Sequence, residues 1–496
     1  MSQPGARRFE SQFKSVVAAF HDHDPSITLE PAWHHPDGER LGLVPDFVVE
    51  RGAALCRREH LDFVMGNADL VPLDTSRNSR PGAETLVLRT TKPLRPEMRT
   101  PHLVAGLNDQ WQKQGNAGHV ATPHHIVSIC GNGVLCPADE PVPAPRWALG
   151  GPRPPQRQDN AGDGVRVWVL DTGLIGTTVG DTGLVDPESL RAVYPWLTEV
   201  PHGQVRDSQG QRIGIGGFAR TTAGPPDDPI AEYRGHGTFI AGVLKCVAPG
   251  ADVTVMNILQ KAGAEFELDL GNALMSLHDP EGLPDIISLS AGSMVGGDRR
   301  GLLGLDEFLR SVQSSKHNTV LVTAAGNNGG RDPFWPAAYA SDDTDWLLSV
   351  GALREDGKGR ACFSNYGDWV QVYAPGERLV NAFDTGEYRY FDAREPRCIY
   401  YGVSPLYLPC TCTDRPDRCD ERHFDGMAEW SGTSFATPIV AGRVAAYMTE
   451  HSITNAREAA QEIRLEAHRN AIRDAADERL LPVVEPRPDV AATVTS

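Results

Sequence analysis

The chain has no stretch approaching the roughly 18 consecutive apolar residues that a membrane-spanning helix needs. Its first residues, MSQPGARRFESQFKSVVAAFHDHD, lack the apolar core of an export signal, and their longest apolar run is Val16–Phe20. Both absences give the expectation of a cytoplasmic protein with no membrane partner. Positive charge is scarce, with 47 Lys and Arg against 65 Asp and Glu, a formal net charge of −18 at pH 7. Nucleic acid and anionic membranes both need clustered cations, so neither is expected as a partner. Cysteine is also sparse. Nine are present, an odd number that favours mostly free thiols in a chain without an export signal. No internal repeat is found. What the sequence does have is 50 Gly and 38 Pro, which point to many tight turns and not to long helical bundles.

A proline-rich bridge, PADEPVPAPRWALGGPRPPQRQ at residues 137–158, suits an extended, semi-rigid linker. Before it, in residues 1–136, Asp46–Glu50, Glu84–Thr91 and His124–Cys130 read as strands. Pro101 opens a helical pattern with Leu103, Val104, Leu107 and Trp111 on one face, giving a small α+β domain. After it, Val165–Leu170, Asp252–Leu259, Asp285–Ser290, Thr319–Ala324 and Trp346–Gly351 are nearly continuous apolar runs. Strands buried on both faces have this pattern, so the expected fold of residues 159–450 is α/β, a parallel sheet covered by helices. Residues 381–429 interrupt the alternation and read as an insertion carrying Cys398, Cys410, Cys412 and Cys419. In the C-terminal part, residues 451–496, a helix is expected over 455–481, followed by a loose tail of fifteen residues.

Three junctions carry chemistry. The strand VRVWVL ends at Asp171-Thr172-Gly173, which puts a carboxylate at the sheet edge where α/β active sites form. A second copy, Asp181-Thr182-Gly183, follows no strand and reads as a loop. His236 stands between Gly235 and Gly237 at the start of a helical segment. Ser434 opens another, with Pro438 expected in its first turn, where a missing N–H costs little. Alone, each has a plainer reading: a turn carboxylate, a structural histidine, a serine helix cap. Together, and in this order, they supply a nucleophile, its base and the carboxylate that orients the base. Asn327, on the loop after Thr319–Ala324, adds a side-chain donor for a developing oxyanion.

Over about residues 160–450 the sequence resembles the subtilisin-like serine peptidases, the subtilases. Asp171 lies in V-L-D-T-G, His236 in G-H-G-T-F-I-A-G, Ser434 in S-G-T-S-F-A-T-P and Asn327 in A-A-G-N. Val350-Gly351-Ala352, Phe363-Ser364-Asn365-Tyr366-Gly367 and Ala374-Pro375-Gly376 are similar to further family signatures. The resemblance implies a three-layer domain with a mostly parallel central sheet, and endopeptide hydrolysis through an acyl-enzyme. Ser434 would be the nucleophile, His236 the base, Asp171 the orienting carboxylate and Asn327 the oxyanion donor. Ser290, Ala291 and Gly292, with Ala325 and Gly326, would bind an extended protein or peptide substrate. The α+β segment before the linker would then be a propeptide-like intramolecular inhibitor or a permanent recognition domain. A cytoplasmic protease of this kind fits dedicated processing or regulation better than scavenging.

The departures from the family pattern are informative. Phe239 stands where many members carry a second histidine, and is expected to pack. The run A-G-V-L-K-C-V-A-P is contiguous, which leaves no room for the calcium loop of many members, so no cofactor is expected. The segment between Asp171 and His236 is long and rich in Gly, Pro and Asp, and reads as a surface loop beside the cleft. Asn328 replaces the acidic residue that many members have after the oxyanion asparagine, which weakens a preference for basic P1 residues. The spacing of the four clustered cysteines, with His423 nearby, is not that of a standard zinc knuckle; zinc, local disulfides and free thiols all stay open. An aspartic-protease reading of the two DTG copies fails, because that chemistry draws its carboxylates from two distant lobes. The remaining alternative is a catalytically silent binding module on a peptidase scaffold.

Overall fold

A computed structural model describes residues 6–35, 37–73, 78, 80, 82–129, 140–144, 151–175, 194–197, 229–277, 282–295, 301–390 and 421–486. The N-terminal part begins with helix α1 (Ala6–His23), strands β1 (Leu29–Ala32) and β2 (Phe47–Arg57), helix α2 (Leu61–Asn67) and strand β3 (Leu70–Pro72). Strand β4 (Thr85–Thr90), helix α3 (Thr100–Lys113) and strand β5 (Ala121–Ser128) complete it. After β6 (Val142–Pro143) come β7 (Arg166–Asp171), α4 (His236–Val247), β8 (Asp252–Asn257), β9 (Ala264–Phe266), α5 (Glu267–Ser276) and β10 (Ile286–Leu289). The chain continues through α6 (Asp306–Gln313), β11 (Val320–Ala324), β12 (Leu347–Leu353), β13 (Val372–Pro375), β14 (Leu379–Arg389) and β15 (Glu421–Trp430). It closes with α7 (Thr433–Glu450), α8 (Ala456–Arg469), β16 (Ile472–Arg473) and β17 (Leu480–Leu481).

The five apolar runs and a sixth strand not among them, β13, form one sheet in the order β13-β12-β11-β10-β7-β8, parallel throughout. Their side chains are buried on both faces, as continuous hydrophobicity predicts. Helices α4 and α7 pack on each other, and α7 crosses β10 to β13. That crossing brings the starts of both helices to the C-terminal ends of the strands, where Asp171 and Asn327 also lie.

The linker does not separate two independent units. The N-terminal antiparallel sheet runs β3-β4-β2-β5-β9, and its last strand comes from the far side of the linker. Helix α5 continues directly from β9 and packs under β4 and β5. Arg57 and Arg80 pair with Asp306 and Glu307 at the start of α6, and Arg310 pairs with Glu84 at 2.7 Å. Described parts of the proline-rich segment are pinned to the elements that follow it: β6 pairs with β15, and Arg153 bridges to Val380.

Three expectations change. Helix α1 was not expected, although Phe9, Phe13, Val17 and Phe20 repeat at helical spacing; Phe20 is fully buried against Phe266. The C-terminal helix ends at Arg469, not at 481. Beyond it Asp474 turns inward to pair with buried Arg360 at 2.8 Å, and a β16–β17 hairpin replaces the last helical turns. The tail is anchored at its start: Val483 and Val484 are buried, and Val484 N–H donates to Tyr373 O at 2.8 Å. The expected insertion begins and ends as a β14–β15 hairpin. Its four cysteines lie outside the described residues, as do Cys130, Cys136 and Asp181.

Candidate active site

Asp171 is the last residue of β7, and its carboxylate is fully buried. Its Oδ1 accepts hydrogen bonds from the Thr172 N–H (2.7 Å) and hydroxyl (3.1 Å). Both carboxylate oxygens lie within bonding distance of His236 Nδ1, at 2.9 and 3.0 Å. His236 is the first residue of α4, entered through Gly235 at φ 85°, a left-handed conformation open to glycine. Gly237 allows the close approach, because a methyl group there would run into the Gly173 carbonyl.

The imidazole is enclosed by aromatic rings. Trp430 meets it edge-on at 5.3 Å between ring centres, and Phe435 lies at 5.2 Å. Phe239 lies behind, its ring tilted by 52° and centred 4.5 Å from that of Phe435. Both phenylalanines thus form the wall behind the histidine. This low-polarity wall aligns the ring and keeps water from one side of it.

Ser434 is the second residue of α7, buried, and not a cap; the cap position is Gly432. Its hydroxyl donates to the Ser290 carbonyl at 3.4 Å, and among the described residues it shares no hydrogen bond with His236. Pro438 lies inside the helix and not in its first turn. A proline there cannot donate to the carbonyl of Ser434 four residues earlier. The Ser290 hydroxyl donates to that carbonyl instead, at 2.9 Å. Ser290 therefore compensates the proline and ties its segment to the helix that carries Ser434.

Asn327 has its amide orientation set by one neighbour. Thr433 donates to Asn327 Oδ1 from both its N–H (2.9 Å) and its hydroxyl (2.8 Å), which leaves the NH₂ as donor on the Gly432 side. The Thr433 hydroxyl also accepts from Gly326 N–H at 3.1 Å. Asn365 braces the same loop from outside: its Oδ1 accepts from Asn328 and Gly330, and its NH₂ donates to Ala325 O. Sequence reasoning gave Thr433 and Asn365 no role, although both stand inside quoted motifs. Hydroxyl and amide side chains flanking the Ala325–Asn328 loop are the available signal.

The expected substrate edge is already paired. Ser128 exchanges both backbone hydrogen bonds with Gly292, each at 3.0 Å, and Ile129 N–H donates to Gly263 O at 3.0 Å. Val127 pairs with Glu265 on the other side. The end of β5 thus runs as a strand between the 263–265 and 292 segments. Burial holds the Glu265 carboxyl above the usual range, against the pull of Lys261. Among the described residues no cluster of three or more His, Cys, Asp or Glu suits a metal ion.

The sequence matches the family model described as Subtilase family over residues 162–482. The chain belongs to the subtilase family. This subtilase is 27% identical over 300 residues to the intracellular serine protease of Paenibacillus polymyxa, covering 57% of this chain and 66% of that one. It is 28% identical over 178 residues to the thermophilic serine proteinase of Bacillus sp. (strain AK1), covering 33% of this chain and 39% of the other. It thus spans between 39% and 66% of the length of these two curated relatives. Among solved structures, fervidolysin from Fervidobacterium pennivorans aligns at a TM-score of 0.47 and 17% identity, over 88% of this chain and 60% of that chain.

Proposed function

We propose that this subtilase is a serine endopeptidase, and that its N-terminal domain acts as its intramolecular inhibitor. The observation that carries the catalytic reading is the buried Asp171–His236 pair at the mouth of the helix bearing Ser434. Rotation about the Ser434 Cα–Cβ bond exchanges the long contact to Ser290 O for one to the imidazole, a tightening common when substrate binds. Ser434 Oγ then attacks the scissile carbonyl while His236 takes its proton. The Asn327 NH₂ and the Ser434 N–H stabilise the oxyanion. His236 returns the proton to the leaving amine as the C–N bond breaks. Water, activated by the same base, hydrolyses the acyl-enzyme, and Asp171 stabilises the imidazolium throughout.

The inhibitor reading rests on the strand 126–129, which pairs with the edge a substrate would use. A cleft filled by its own chain suits a dedicated processing or regulatory protease. Release requires cleavage beyond Ile129, in the segment leading to the proline-rich bridge. N-terminal sequencing of wild type beside Ser434→Ala tests both readings. A new N-terminus between residues 130 and 158 is expected in wild type and not in the variant. Fully active wild type that is never processed rules out the inhibitor role. Absence of fluorophosphonate labelling on correctly folded wild type favours the silent binding module.

A further inference from the structure

We infer that Phe334 closes the pocket for the substrate side chain at the scissile carbonyl, and so restricts cleavage to small residues there: Gly, Ala, Ser or Cys. The inference rests on the serine-protease reading and concerns this chain's own residues.

The pocket's place follows from register. Leu289 of β10 pairs with Thr323 of β11. Gly292 and Gly326 each lie three residues further along these neighbouring parallel strands, so they stand at the same level beyond the sheet. Asn327 follows Gly326 directly, and Gly292 carries the backbone bonds to a paired strand. A carbonyl held at Asn327 therefore directs its residue's side chain into the gap between the Ala291–Gly292 and Ala325–Gly326 walls.

That gap is occupied. The Phe334 ring is buried, at 1% exposure. A methyl group added at Gly292 would run into this ring, and one added at Gly326 would come to 2.8 Å from it. Two glycine walls would otherwise open a slot wide enough for a large side chain; here the protein's own phenylalanine fills it from below. The ring cannot easily withdraw. Behind it pack Met294, Phe47 and Ala32, and the adjacent Trp335 exchanges both backbone hydrogen bonds with Ser293 at 2.9 Å. The floor is thus fixed by backbone pairing and by a close-packed layer that resists compression.

A second observation agrees. The residues that follow Ile129, the end of the strand occupying the substrate edge, are Cys130-Gly131-Asn132-Gly133. Cys130, Gly131 and Gly133 belong to the small set named above.

The test is a set of internally quenched peptides identical except for Gly, Ala, Ser, Cys, Leu, Phe or Lys at P1, cleaved by the purified full-length protein in the form it isolates. The Ala peptide should exceed the Phe peptide in kcat/KM by about 100-fold, the scale at which pocket fit discriminates side-chain size. Phe334→Ala should raise kcat/KM for the Phe peptide by about tenfold or more and reverse part of that preference. Comparable cleavage of the Ala and Phe peptides by wild type overturns the inference, as does an unchanged ratio in Phe334→Ala. If that variant does not fold, wild-type inhibition by peptide aldehydes ending in Ala or Phe decides alone, with tighter Ala binding supporting the inference and equal binding overturning it. Failure to cleave any peptide in a Ser434-dependent way overturns the protease reading itself, a result distinct from cleavage without P1 preference.

Discussion

Three buried histidine–carboxylate pairs occur among the described residues, and two of them, in different regions of the molecule, contrast. His236 Nδ1 meets Asp171 at 2.9 Å, and His125 Nδ1 meets Glu267 at 2.8 Å. Distance and burial do not distinguish them; their surroundings do. Glu267 also accepts from the His125 N–H and the Gly304 N–H, each at 2.9 Å, so it staples β5, α5 and a neighbouring loop together. His125 lies inside a strand, against Phe47, with no nucleophile among its described hydrogen-bond partners. His236 stands at a helix start between two glycines, beside the helix turn that carries Ser434. An imidazole–carboxylate pair is thus a structural clasp by default. It becomes chemistry when a hydroxyl and oriented donors share its edge.

The comparison breaks most sharply on paired substitutions. His236→Ala should lower kcat by on the order of 10⁴- to 10⁶-fold, the scale known for removing a triad member from another subtilase, with little change in thermal midpoint. His125→Ala leaves buried Glu267 without its imidazole hydrogen-bond partner and should cost about 1–3 kcal/mol in denaturant unfolding of the uncleaved chain. Its peptide hydrolysis should be unchanged or faster, because the strand on Gly292 is held less firmly. Equal loss of turnover in both variants contradicts the distinction. A smaller effect sharpens it. Thr433→Val keeps the side-chain shape but removes the hydroxyl that orients Asn327, so kcat should fall about tenfold, as for one lost hydrogen bond, with KM nearly constant. A change confined to KM would show that Thr433 does not act through the oxyanion donor.

Much of this was legible beforehand, for a physical reason. Strands buried on both faces write continuous apolar runs into the chain, and the central sheet follows those runs closely. Asp171, His236, Ser434 and Asn327 stand at strand ends and helix starts near glycine, a local signal that singles them out as candidates. The errors arose where local pattern competes with distant contact. Pro438 looked like a first-turn residue because sequence does not show that Ser290 supplies the bond a proline withholds. Helix α1 owes its place to a distant contact, Phe20 against Phe266, which the local pattern does not contain.

Five of the six central strands, the Asp, His, Ser and Asn of the candidate site and the junctions that present them are written locally in the chain, since periodicity and glycine placement act over a few neighbouring residues. Tertiary structure alone decided that β9 joins the N-terminal sheet, that Ser128 lies on Gly292, that Thr433 turns Asn327 and that Phe334 stands between two glycines. Each joins residues far apart along the chain. Their choice of partner depends on shape and hydrogen-bond complementarity, which exist only once the chain has closed on itself.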